Sequence, residues 1–228
     1  MCSRYSLTSP AEAVRAYFKA GGADAFPPRY NIAPTQPVPV IRMGAGGARE
    51  LALVRWGLIP AWVKDPREFT TLINARSESA VEKPSFRSAM KYRRCLIPAN
   101  GFYEWTGPKT DKRPYLIGPK DGGLMAFAGL WEHWQGADGS ELETMAILTT
   151  SANQTLEPIH DRMPVILPPD LFDSWLDARA LDAKDAARLL VPASANLLKA
   201  IAVDKAISNS HRDGPELQKP APEQTRLF

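Results

Sequence analysis

Cysteine and histidine are scarce: the 228 residues hold two cysteines, Cys2 and Cys95, and three histidines, His133, His160 and His211. They form no Cys-x-x-Cys pair and no paired histidine spacing, so a structural zinc site is not expected. Long apolar runs are missing as well. The longest, Leu124 to Trp131, is eight residues even counting Gly129, where a membrane-spanning helix needs about eighteen. The N-terminus, Met1-Cys2-Ser3-Arg4-Tyr5, lacks a basic segment followed by an apolar stretch, so no secretory signal is expected and the expected compartment is the cytoplasm. Charge of one sign is not in excess either. The 28 Lys and Arg against 25 Asp and Glu give +3, too little to indicate nucleic-acid binding by itself, so the distribution of charge has to decide.

What is present is the composition of a folding chain. Apolar residues make up 44% and charged residues 23%, which fits neither a disordered protein nor a charged tail. The 21 prolines, about 9% of the chain where about 5% is usual, indicate many short elements joined by fixed turns. Ser9-Pro10-Ala11-Glu12 has the form of a capping box and predicts a first helix that stops at Gly21-Gly22. Val38 to Arg42 and Leu51 to Trp56, around Gly44-Ala45-Gly46-Gly47, predict a hairpin. Further strands are predicted at Arg94 to Pro98, Gly101 to Trp105, Pro114 to Ile117, Leu124 to Trp131, Thr144 to Thr150, Pro164 to Leu167 and Ile201 to Val203. Helices are predicted at Ser85 to Tyr92, Pro169 to Leu176 and Ala183 to Leu190. Strands outnumber helices and do not alternate with them, which points to an α+β fold with a mainly antiparallel, barrel-like twisted sheet and peripheral helices. One domain over residues 1–212 is expected. Asp213 to Phe228, with three prolines, charges and little apolar periodicity, reads as a loose tail.

Cys2 follows the initiator methionine, and a small residue there normally allows the methionine to be removed. Cysteine would then carry a free α-amine, of pKa about 8, beside a thiol of pKa about 8.5. An aldehyde condenses with such an amine to an imine, and the thiol closes it to a five-membered thiazolidine. An incidental buried cysteine fits the position equally. Asn74-Ala75-Arg76-Ser77-Glu78, if extended, places its polar residues on one face. Gly101-Phe102-Tyr103-Glu104-Trp105 sets a carboxylate among aromatics, where burial would raise its pKa into the range useful for proton transfer, or where it serves the fold alone. Ile159-His160-Asp161-Arg162-Met163-Pro164 brings together an imidazole, an acid and a guanidinium just before a strand, either for proton shuttling or for structure. Lys83, Arg87, Lys91, Arg93 and Arg94 form a basic stretch open to reading as a solvated face or as a phosphate contact. Trp62, beside a proline turn, is placed either to stack on a base or to pack.

Together these blocks resemble the SOS response-associated peptidase family, also described as abasic-site processing proteins. Met1-Cys2-Ser3-Arg4-Tyr5, Tyr30-Asn31-Ile32-Ala33-Pro34-Thr35-Gln36 and Arg55-Trp56-Gly57-Leu58-Ile59-Pro60 resemble its first three signatures. Asn74 to Glu78, Gly101 to Trp105 and Ile159 to Pro164 follow in family order. Ser3 stands where the family usually has glycine, and Ser208-Asn209-Ser210-His211 replaces a more usual segment containing valine and asparagine.

The resemblance implies a protein that recognises an abasic site in single-stranded DNA and attaches to it covalently through Cys2. By the same resemblance Glu104 and His160 move protons, in either assignment of acid and base, and Asn74 holds the Cys2 end and the sugar. Arg4, Asn31, Arg76, Arg87 and Arg162 are placed at the DNA, with Trp62 stacking on a base. Strand cleavage by β-elimination and a limited autopeptidase activity are implied as side reactions. No metal or organic cofactor is implied, and a monomer, nucleoid-associated when bound to DNA, suffices. Two other readings stay open at this level: a thiol peptidase using Cys2, His160 and Asn74 or Glu104, and a non-covalent single-strand binder.

Overall fold

The computed structural model describes residues 2–22 and 25–221. In chain order its first elements are β1 (Tyr5–Leu7), α1 (Ala11–Phe18), β2 (Arg29–Ile32), β3 (Pro37–Met43), β4 (Arg49–Trp56), β5 (Asn74–Arg76) and α2 (Arg87–Tyr92). There follow β6 (Arg94–Ala99), β7 (Gly101–Thr106), β8 (Arg113–Pro119), β9 (Met125–Gln135) and β10 (Glu141–Ser151). The last are β11 (Arg162–Pro164), β12 (Ile166–Leu167), α3 (Phe172–Leu176), α4 (Ala183–Ala187) and β13 (Leu198–Ala202). The architecture is α+β, as expected, with mainly antiparallel strands in two sheets.

The larger sheet closes on itself. β10, β4, β3, β6 and β9 follow one another, and β9 pairs back to β10, while β11 and β5 extend from β10 and β12 from β9. The expected hairpin is there, with Val38 opposite Val54 and Ile41 opposite Leu51. β6 is buried along its whole length and β10 from Thr144 to Thr150, so both are covered on both faces and read as continuous apolar runs. The second sheet runs β13-β8-β7-β1-β2. Trp56, Trp175, Tyr5, Phe102 and Phe127 are fully buried, and Tyr5 meets Trp56 and Phe127 edge-on, so the aromatic contacts tie β1 to the ring strands β4 and β9.

Several elements differ from expectation for identifiable reasons. The capping box does not form: Ser9 exchanges hydrogen bonds with the side chain of Asn100, Pro10 takes the cap position without a side-chain bond, and Lys19 at φ 51° ends the helix before the glycines. Gly21 instead exchanges backbone bonds with Arg49 and Leu51 beside β4. The basic stretch is not one surface. Arg94 is buried, donating to the carbonyls of Trp175, Asp177 and Leu181, where it satisfies the C-terminal end of α3. Arg93 pairs with Glu132, leaving Lys83, Arg87 and Lys91 exposed.

Asp213, expected to open a loose tail, accepts hydrogen bonds from the backbone N–H groups of Tyr30 and Asn31 and from Arg29. Leu217 is buried and Ala221 N–H donates to Ala202, so the chain is docked as far as Ala221. Residues 222–228 of the expected tail lie outside the described residues, as does Met1.

Candidate functional site

The two sheets meet at the N-terminal end of β1. β1 pairs antiparallel with β7, Tyr5 opposite Phe102 and Ser6 opposite Gly101, and the N–H of Tyr103 donates to the carbonyl of Arg4 at 3.0 Å. Continued by two residues, this register places Glu104 across from Ser3 and next to Cys2. From the ring, the last third of β10 carries β5 on one edge and β11 on the other. Asn74, Ala75 and Arg76 lie against Ile147, Leu148 and Thr149 in parallel, and Arg162 lies against Ser151 in antiparallel. Ala75 is buried, so the alternation turns Asn74 and Arg76 to the other side. The Asn74 Nδ2 donates to the Cys2 carbonyl at 2.8 Å, which joins ring and second sheet at the cysteine. The Asn74 Oδ1 is buried without a hydrogen-bond partner among the described residues.

Electrostatics converge on the same place. Cys2 is fully buried, and burial, then the carboxylate of Glu104, push its thiol well above the usual range. Glu104 is 3% exposed, and burial pushes its pKa up from 4.5 to about 7, against the pull of the N-terminal amine first and of Lys112 last. Burial lowers the pKa of His160, with Asp161 opposing and Lys112 reinforcing the shift. The His160 Nδ1 lies 2.9 Å from the Arg162 N–H and 2.9 Å from Asp161 Oδ1. A neutral ring accepts the first and a protonated ring donates to the second, so one nitrogen has a partner in either protonation state.

The residues expected at DNA divide into exposed and occupied ones. Arg76 and Arg87 are exposed, and Trp62, at 59% exposure, touches Phe69 edge-on. Its loop leaves β4 at Gly57, whose φ of 132° suits glycine and where a Cβ would fall 2.2 Å from Thr71. The guanidinium of Arg162 is occupied: Nη2 donates to Thr149 O at 2.6 Å and both terminal nitrogens grip Glu78. Glu78 stands in a turn past β5, not on the extended face expected. Arg4 donates to Asn31 Oδ1 at 3.0 Å and to the carbonyls of Ile207 and Ser208. Asn31 is fully buried and its amide holds the carbonyls of Ile207, Asn209 and Arg212. It therefore has no group left for DNA and clamps the 207–213 segment behind the cysteine. Lys112, whose field reaches both Glu104 and His160, was not legible in the sequence, where it is one cation among several in a turn.

Among the described residues no group of three or more His, Cys, Asp or Glu is gathered to hold a metal, and no helix is long and apolar enough to cross a membrane. A groove of about 520 Å³ between Leu124, Ile166, Leu189 and Leu197 contains none of the residues above.

Comparison with known proteins gives a consistent picture. The family model described as SOS response associated peptidase (SRAP) matches residues 1–210. The chain is 40% identical over 222 residues to the abasic site processing protein YoqW of Bacillus subtilis, covering 95% of this chain and 98% of that protein. It is 31% identical over 230 residues to the abasic site processing protein HMCES of Xenopus tropicalis, covering 87% of this chain and 68% of that one. A crystal structure of a protein from Bacteroides thetaiotaomicron superposes with a TM-score of 0.88 at 27% identity, covering 97% of this chain and all of that one.

Proposed function

The chain belongs to the SOS response-associated peptidase family, and from that premise we propose that it processes abasic sites in single-stranded DNA by forming a covalent adduct through Cys2. Removal of Met1 exposes the α-amine of Cys2. The ring-opened aldehyde of an abasic deoxyribose condenses with that amine, releasing one water and leaving an imine. The thiol then adds across the C=N bond, its proton passes to nitrogen, and a thiazolidine closes.

The observation that carries this reading is the hydrogen bond from Asn74 to the Cys2 carbonyl beside Glu104. It fixes the residue whose amine and thiol must reach one carbon in turn, and leaves the buried Asn74 Oδ1 as an acceptor for a sugar hydroxyl or the amine. Glu104, with a pKa of about 7, holds both protonation states at neutral pH, and His160 has partners for both of its own. These two groups move the protons of ring opening, condensation and closure, in either assignment. Arg76, Arg87 and Arg162 hold phosphates and Trp62 stacks on a neighbouring base. An imine that is not closed acidifies the adjacent sugar C–H, so β-elimination is a side activity. A thiol peptidase needs the sulfur alone, whereas ring closure also needs the α-amine, so a blocked amine separates the two readings.

Intact mass spectrometry tests the reading. After incubation with a single strand carrying one abasic site, the mass should rise by the oligonucleotide less one water, starting from protein without Met1. Cys2→Ala should give no adduct. An adduct that persists in Cys2→Ala, or none in the native protein, overturns the proposal.

A further inference from the structure

The turn between β7 and β8 carries Lys109, Asp111 and Lys112, and β8 opens on Arg113, all four exposed. Its single acid is taken: Asp111 pairs with Lys205 from the turn after β13. Lys112 has no hydrogen bond or ion pair among the described residues, yet its charge acts on both Glu104 and His160. The reason lies in the hairpin. Glu104 faces Tyr115 and Thr106 faces Arg113, so the strand that bears Glu104 runs directly into the turn that bears Lys112. Arg76, two residues from Asn74, and Arg162, two from His160, come from the ring sheet by way of β5 and β11. The site thus draws cations from both sheets, Lys112 from the hairpin of the second sheet and Arg76 and Arg162 from the ring.

An abasic nucleotide within a strand has a phosphodiester on either side. Resting on the abasic-site reading above, we propose that Lys112 seats one of these two phosphodiesters, while Arg76 and Arg162 hold the other. A consequence follows for the proton-moving groups. Glu104 stands beside Cys2 in the fields of the N-terminal amine and Lys112, and His160 in those of the N-terminal amine, Asp161 and Lys112, with the Arg162 N–H on its ring. A phosphate on Lys112 offsets a cationic field that reaches both, so both hold a proton more readily once DNA is bound.

The test reads binding apart from chemistry, on Cys2→Ala protein and a single strand carrying one tetrahydrofuran abasic analogue, with either flanking linkage replaced by an uncharged methylphosphonate. With all linkages charged, Lys112→Met should weaken binding about fivefold at low salt and make the plot of log K against log salt shallower by about 0.7. That loss should vanish on the strand neutralised on one side and persist on the strand neutralised on the other. For Arg76→Ala the two strands should exchange roles. Equal loss on both neutralised strands, no loss at all, or the same dependence for Lys112 and Arg76 overturns the proposal. Crosslinking of the native protein to a true abasic strand is measured separately; its failure removes the abasic-site reading, and the linkage dependence is then scored as binding alone.

Discussion

The side-chain amide of Asn74 reaches the backbone carbonyl of Cys2 at 2.8 Å, and this one bond spans the two sheets of the molecule. It comes from β5, a three-residue strand paired in parallel to β10, and ends on the segment that leads into β1. Because the acceptor is a backbone atom, the bond holds the cysteine's position without engaging its thiol.

Asn74→Ala should therefore leave the fold in place and slow adduct formation. A neutral hydrogen bond is worth about 1 kcal/mol of stability, whereas misplacing a nucleophile slows reaction by about a hundredfold. Urea unfolding and single-turnover gel assays on the same preparation separate the two. A rate unchanged within a factor of two would make the bond purely structural.

Glu104 gives a pH dependence whose sign is fixed by its burial. Its pKa is raised from 4.5 to about 7 in the fold, so between those values the unfolded chain gives up the proton first. Stability contributed by the protonated form is present below pH 4.5, declines as pH rises, and is fully lost above 7. Glu104→Gln removes this penalty and should be more stable than the native chain at pH 8, by at most about 3 kcal/mol, with little difference at pH 4. The same substitution should slow adduct formation. Urea midpoints at the two pH values decide it, and a variant less stable at pH 8 would contradict the burial argument.

Much of this site is legible in the sequence because its parts are local. Asn74 with Arg76, Glu104 among aromatics, and His160 with Arg162 each lie within a few residues, at the end of a strand or just before one. The hairpin of β3 and β4 carries an apolar pattern around a glycine turn, and β6, β9 and β10 carry apolar runs of strand length. What escaped is long-range. β1, with three residues, and β2, with four, are too short to alternate, and both are strands through partners distant in the chain. Asn31 lies within Tyr30 to Gln36, but the carbonyls it holds are 176–181 residues away, so nothing local marks it as a clamp. The docked segment after Asp213 is anchored by Leu217, and a single apolar side chain makes no pattern.

The clamp itself is open to test. Asn31→Ala would strand the carbonyls of Ile207, Asn209 and Arg212 and release Arg4. Removing one member of a buried polar network in this way should cost about 3 kcal/mol. Limited proteolysis should then cut first within residues 205–213. Full stability, with DNA affinity alone reduced, would return Asn31 to the role of a DNA contact.

Arg76 and Arg162 should respond differently although both are proposed to hold phosphates. The guanidinium of Arg76 is exposed and makes no hydrogen bond or ion pair among the described residues, while that of Arg162 holds Thr149 and Glu78. Arg76→Ala should leave stability within about 0.5 kcal/mol. It should weaken binding to any single strand, with a loss that shrinks as salt rises, because a phosphate contact is traded against released counterions. Arg162→Ala should also lose about 1–2 kcal/mol of stability, since a buried carbonyl of β10 loses a charged donor. Fluorescence anisotropy at two salt concentrations, beside urea unfolding, reads all four quantities. If Arg76→Ala loses the same affinity at both salts, its contribution is not to phosphate, and the cationic wall on the ring sheet reduces to Arg162 alone.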